Sequence, residues 1–164
     1  MWIVDVNVLV HAANASAPAH QASRRWLTAE INGPRAVLVP WVSLLGFVRL
    51  TTNPRVLPRP LAASEAWGFV KSLLSAPAVR SVDPGPGHAA AVERLVIQAG
   101  GNSRLVTDAH IAALALENQA DVVTWDTDFA LFPGVKWHCP AAPDNSAEDQ
   151  TQASGSRPAG RERR

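Results

Sequence analysis

Met1-Trp2-Ile3-Val4-Asp5-Val6-Asn7-Val8-Leu9-Val10 opens the chain with a short, continuous apolar run that an acid interrupts at the fifth residue. Trp2–Val6 reads as a strand buried on both faces, because β-branched residues fill it without alternation. The same kind of run recurs at Ala36–Val39, Val79–Val82, Asp121–Trp125 and Val135–His138. Between these runs the apolar spacing changes to helical. Gln21–Ile31 places Trp26 and Leu27 on one side, and Trp41–Thr52 repeats Trp41, Leu44, Leu45 and Val48 before Asn53-Pro54 stops it. Leu61–Leu74 carries Trp67, Val70, Leu73 and Leu74. Ala89–Ala99 ends at Gly100-Gly101, and Leu105–Glu117 runs through Ile111, Leu114, Ala115 and Leu116. Strands separated by helices, with no two-residue hairpin turn, predict a three-layer α/β/α sandwich around a mainly parallel sheet of about five strands.

The chain has 164 residues, which suits one domain, and 47% hydrophobic residues, which is enough to build a core. A single cysteine, Cys139, excludes an internal disulfide framework and points to a reducing compartment. Met1–Asp5 has no basic segment before its apolar run, and no apolar stretch approaches the ~20 residues of a membrane span. The expectation is a cytoplasmic domain. Net charge is +1. Because 11 of the 15 basic and 10 of the 14 acidic residues precede Cys139, the globular part is nearly neutral, and nucleic-acid binding would need a local patch. The boundaries expected are a domain over 1–138 and a disordered tail over 139–164. The stretch from Pro140 has no Val, Ile, Leu or aromatic residue to bury.

Four acidic residues, in three segments, conflict with this pattern. Asp5 stands near the carboxyl end of the first strand, where the fold wants Val or Ile, and where ligands bind in open α/β sheets. Asp126 and Asp128 repeat the arrangement after Asp121–Trp125. Asp108 shares one helical face with Ile111, Ala112 and Ala115, so it points to a buried or cleft side. A helix N-cap or turn accounts for Asp5 equally well, and a turn accounts for Asp126-Thr127-Asp128. Unpaired, such carboxylates cost several kcal/mol to bury. Gathered, they form a hard-oxygen cluster suited to Mg2+ or Mn2+, ions that activate water and stabilise charge on an attacked phosphate. His11 and His110 read as local hydrogen-bonding residues. No glycine-rich phosphate loop, serine nucleophile elbow or dinucleotide fingerprint is present.

Taken in order, these segments resemble the PIN-domain family and, within it, VapC-type toxins. Met1–Val10 looks like its opening strand, with a metal-binding Asp and a nearby Asn. Asp108-Ala109-His110-Ile111-Ala112-Ala113-Leu114-Ala115 looks like the helix bringing a second Asp. Val122-Val123-Thr124-Trp125-Asp126-Thr127-Asp128-Phe129, followed by Phe132-Pro133-Gly134-Val135, looks like the last acidic motif. Phe47-Val48-Arg49-Leu50-Thr51-Thr52-Asn53-Pro54 matches a segment of one branch. The resemblance covers residues 1–138. It implies a Mg2+- or Mn2+-dependent endoribonuclease with Asp5, Asp108 and Asp126 catalytic and Asp128 a further metal ligand. Asn7 would orient carboxylates or water, and Arg49 would contact phosphate or pair with the acids. It further implies a homodimer inhibited by a VapB-like antitoxin. One position departs: the family usually carries a Glu three residues before the Arg, and here it is Gly46, with no acid between Glu30 and Glu65. Two alternatives stand beside this reading. One is a phosphatase or DNA nuclease on a similar sandwich, and the other is a PIN-type binding module whose activity has decayed.

Overall fold

Runs of Val, Leu and Ile too short for helices form the five strands: β1 (Trp2–Val4), β2 (Val37–Pro40), β3 (Val79–Val82), β4 (Asp121–Val123) and β5 (Trp137–His138). All pair in parallel, in the order β3-β2-β1-β4-β5. Six helices separate them: α1 (Val6–Ala13), α2 (His20–Ile31), α3 (Trp41–Thr51), α4 (Ala63–Leu74), α5 (His88–Gln98) and α6 (Val106–Glu117). The structure, a computed structural model, describes residues 1–140. Apart from Cys139 and Pro140, the expected tail lies outside the described residues. None of the helices described is long and apolar enough to cross a membrane.

Successive strand residues point to opposite faces. Ile3, Leu38 and Val122 pack with α5, α6, Phe129 and Phe132 on one face. Val4, Val37, Val39, Val79 and Val123 pack with α1, α2, α3 and α4 on the other. The result is the three-layer α/β/α sandwich that the alternation of runs predicts. From β1 the chain runs outward to β2 and β3, then crosses to β4 on the other side of β1. Loops at the carboxyl ends of β1 and β4 therefore diverge and open a crevice at that switch point.

Two expectations need correction. Strand β1 ends at Val4 rather than Val6, and Val6–Ala13 is a helix that only the N-cap alternative for Asp5 anticipated. Val6, Val8 and Val10 are modest helix formers, so burial of Val8, Leu9 and Ala12, with a cap at Asp5, decides the matter. On α3 and α4 the expected Leu44, Val70 and Leu73 are buried, but three other expected positions are exposed. Ser43, Leu44, Phe47 and Thr51 are buried on α3, and Ala66, Val70 and Leu73 on α4. Trp41, Leu45 and Trp67 are exposed instead.

Candidate active site

Asp5 is the N-cap of α1. Its Oδ1 accepts a hydrogen bond from the Val6 N–H at 2.6 Å, the ordinary use of an Asp at that position. The capping reading is therefore correct, and it does not use the whole carboxylate. Oδ2 accepts from Asn7 Nδ2 at 2.7 Å and from the Thr124 hydroxyl at 2.7 Å. Asp5 is only 3% exposed. Burial pushes its carboxyl up from the usual range, and the hydrogen bonds from Thr124 and Val6 oppose that push.

Thr124, fully buried just past β4, holds the two strand ends together. While donating to Asp5, its oxygen accepts from Asn7 Nδ2 and from the Asp126 N–H, both at 2.9 Å. Asn7 Oδ1 in turn accepts from the Trp125 N–H at 3.1 Å. Asn7 thus hydrogen-bonds Asp5 and also ties α1 to the loop after β4. Sequence reasoning missed Thr124, because a threonine ending a buried strand looks like ordinary β propensity. The available signal was a hydroxyl next to an acid-rich turn, closing a run that is apolar after Asp121.

Asp126 begins the turn expected for Asp126-Thr127-Asp128. Its Oδ1 accepts from the Asp128 N–H at 2.8 Å and caps a short 3-10 turn over Thr127–Leu131. Asp108 lies in the first turn of α6 and is half-buried. Its carboxyl is pushed up to about 6, first by burial and then by the charges of Asp5, Asp126 and Asp128. Four acids from three separate segments therefore share one electrostatic neighbourhood. Among the described residues no cation compensates them, since the only ion-pair geometries are His88–Glu117 and His138–Asp121.

Arg49 does not pair with the acids. It is exposed, and it lines a cavity of about 320 Å3 with Val6, Gly46 and Thr107. Gly46 faces this same cavity, and its lack of a side chain has a local cause. A Cβ there would stand 3.0 Å from Val6 Cγ2, so α1 and α3 approach too closely for one without adjustment. His11 and His110 lie off the cluster. The His11 backbone carbonyl accepts from or faces His20 Nδ1 at 2.9 Å, while its own Nδ1 is buried without a partner among the described residues. His110 Nδ1 is 2.7 Å from His88 Nε2, in keeping with a local hydrogen-bonding role.

The donor set suits a hard divalent cation: carboxylate oxygens with no thiolate and no imidazole among them. Mutual repulsion of uncompensated carboxylates supplies the electrostatic reason for a cation to bind. The spacing is less complete than the chemistry. Among the described residues no three His, Cys, Asp or Glu side chains are gathered closely enough to hold an ion as they stand. An ion would have to draw the acids inward from a capped Asp5 and a turn-bound Asp126.

The family model of the PIN domain matches residues 2–135. Ribonuclease VapC37 of Mycobacterium tuberculosis is 43% identical over 142 residues, covering 87% of this chain and 99% of the relative. Ribonuclease VapC33 of the same species is 35% identical over 140 residues, covering 85% and 98%. Among solved structures, the sarcin-ricin loop cleaving toxin VapC20 of M. tuberculosis aligns with a TM-score of 0.62 at 17% identity, over 83% of this chain and 99% of that one. VapBC2 of Rickettsia felis, bound to promoter DNA, aligns at 0.62 with 15% identity, over 84% and 97%. At these identities the solved structures speak for the fold alone, whereas the family match and the curated relatives span nearly the whole described domain. The chain belongs to the PIN-domain family, in its VapC branch.

Proposed function

We propose that this protein is a divalent-metal-dependent endoribonuclease and the toxin of a VapBC-type pair. The observation that carries the reading is that Asp5, Asp126 and Asp128 lie near enough to Asp108 for their charges, after burial, to push its carboxyl up to about 6, with no compensating cation among the described residues. Asp5, Asp108 and Asp126 hold Mg2+ or Mn2+, and Asp128 joins them directly or through water. When bound, the ion supplies an activated water and neutralises charge developing on the phosphate. The chain's own residues do the positioning. Thr124 and Asn7 fix the Asp5 carboxylate from two sides, and Arg49, free of ion pairs among the described residues, takes an RNA phosphate beside the crevice.

The VapC relatives support RNA as substrate. A homodimer, a VapB-like antitoxin whose segment lies across the acidic crevice, and a cytoplasmic site of action all belong to the same proposal. Gly46 and the unassembled spacing of the acids favour one second reading, a PIN-type binding module without activity. Incubation of the purified full chain with single-stranded RNA separates the two. The ribonuclease cleaves internally, stops on chelation, recovers with Mn2+ and loses activity as Asp5→Asn. The binding module cleaves nothing under any of these conditions.

A further inference from the structure

A second group of polar side chains lies outside the acidic crevice. Glu117 Oε2 accepts from the Gly85 N–H at 3.1 Å, and Glu117 Oε1 sits 2.9 Å from His88 Nδ1. Nε2 of the buried His88 is 2.7 Å from His110 Nδ1. With Glu117 ionised, His88 donates to it through Nδ1, and its Nε2 then accepts from His110 Nδ1–H in the neutral chain. The His110 ring is thereby fixed, with Nε2 left as an acceptor. Packing between α5 and α6 explains His88, whose two ring nitrogens are both engaged. It does not explain His110, whose Nε2 makes no hydrogen bond among the described residues while the residue lines a cavity of about 660 Å3.

That cavity lies between α3, α5 and α6, with an apolar lining from Val42, Ala89, Val92 and Val106 and with Glu93 and Thr107 among its polar residues beside His110. It adjoins the Arg49 cavity, since Val42 and Thr107 line both. Thr107 directly precedes Asp108. The residue next to Asp108 thus lines both the cavity that holds Arg49, a cation suited to phosphate, and an apolar hollow with one oriented acceptor. Unpaired bases in RNA are recognised in this way, by an apolar surface for the ring and hydrogen bonds to its edge. We propose that this cavity is a subsite for one unpaired nucleobase of the RNA substrate, read at its edge by His110 Nε2. Glu117 and His88 are positioning residues that hold the His110 ring. The proposal rests on the ribonuclease reading above for its substrate.

The test uses the full chain with Mn2+ and short single-stranded RNAs carrying one abasic nucleotide at each position flanking the cut. At one position the abasic change should lower wild-type kcat/KM roughly tenfold or more. His110→Leu, shown folded by its melting temperature, should lose part of that factor with the base present and nothing with the abasic RNA. Unchanged kcat/KM and unchanged base preference in His110→Leu would overturn the subsite while leaving the ribonuclease reading intact. A change in oligomeric state alone would assign the face to a protein contact and overturn it too. A second measurement does not need cleavage. Asp5→Asn protein without metal is titrated with nucleoside monophosphates and with inorganic phosphate while the His110 imidazole NMR signals are followed. Shifts with the nucleotides but not with phosphate support the subsite, whereas no shift, or the same shift with phosphate, overturns it even if the chain cleaves no RNA.

Discussion

Asp108→Asn should stabilise the fold above about pH 6 and do nothing for it near pH 4. In the folded chain the Asp108 carboxyl is pushed from 3.8 to about 6 by burial and by Asp5, Asp126 and Asp128. A raised carboxyl binds its proton more tightly folded than unfolded. Wild type therefore loses stability as pH rises from about 4 to 6, after which the difference stays constant. The full shift corresponds to ~3 kcal/mol, and solvent screening of a half-exposed group reduces it to ~1–2 kcal/mol. For a domain of this size that is a rise in Tm of ~2–6 °C for the Asn variant at about pH 7.5. Thermal melts of both proteins in chelator, across a pH series at fixed salt, read the effect. The two curves should converge as pH falls towards about 4. A stabilisation independent of pH, or an Asn variant less stable than wild type above about pH 6, would refute the claim that burial and the neighbouring acids raise this carboxyl.

Thr124→Val keeps the shape of the side chain but removes the hydroxyl shared by Asp5, Asn7 and Asp126. Loss of these buried bonds should cost ~2–3 kcal/mol in denaturant melts, with Thr124→Ser recovering most of it, and a change within ~0.5 kcal/mol would show that the network holds nothing. Gly46→Glu should lower the melting temperature because its Cβ would meet Val6 Cγ2 at 3.0 Å. Combined with Val6→Ala, the same substitution should recover stability and bind Mn2+ more tightly than Val6→Ala alone, and unchanged affinity would mean that residue 46 does not reach the ion. Expression of the chain alone should arrest bacterial growth, and soluble Asp5→Asn should not; growth with abundant soluble wild type would count against a toxin.

Much of this architecture is legible in the sequence because a doubly covered parallel sheet needs strands that are apolar throughout, and Ile3-Val4, Val37–Val39 and Val122-Val123 have little else to be. An acid closing such a run is conspicuous, which is why Asp5 and Asp126 stand out before any coordinates. Helix α1 is illegible for the opposite reason. Val6-Asn7-Val8-Leu9-Val10 carries too few polar residues to show a helical period, and its conformation is set by the Asp5 cap and by burial against α2 and α3. The outward positions of Trp41, Leu45 and Trp67 were hidden because α3 and α4 are apolar over most of their circumference, so periodicity alone does not choose the buried side. Thr124 acquires its role only when β1 and β4 become neighbours, 119 residues apart in sequence from Asp5. The departure at Gly46 was visible, but its cause, the approach of α1 to α3, is a tertiary fact.

Calorimetric titration of the purified full chain with Mn2+, at fixed pH and salt and without RNA, tests most directly whether the four acids form a cation site. One weak site is expected in wild type, because no three of the acids are gathered in advance among the described residues. That site should be lost in both Asp5→Asn and Asp108→Asn, with each variant folded by its melt. No heat of binding in wild type, or equal affinity in wild type and both variants, would contradict it.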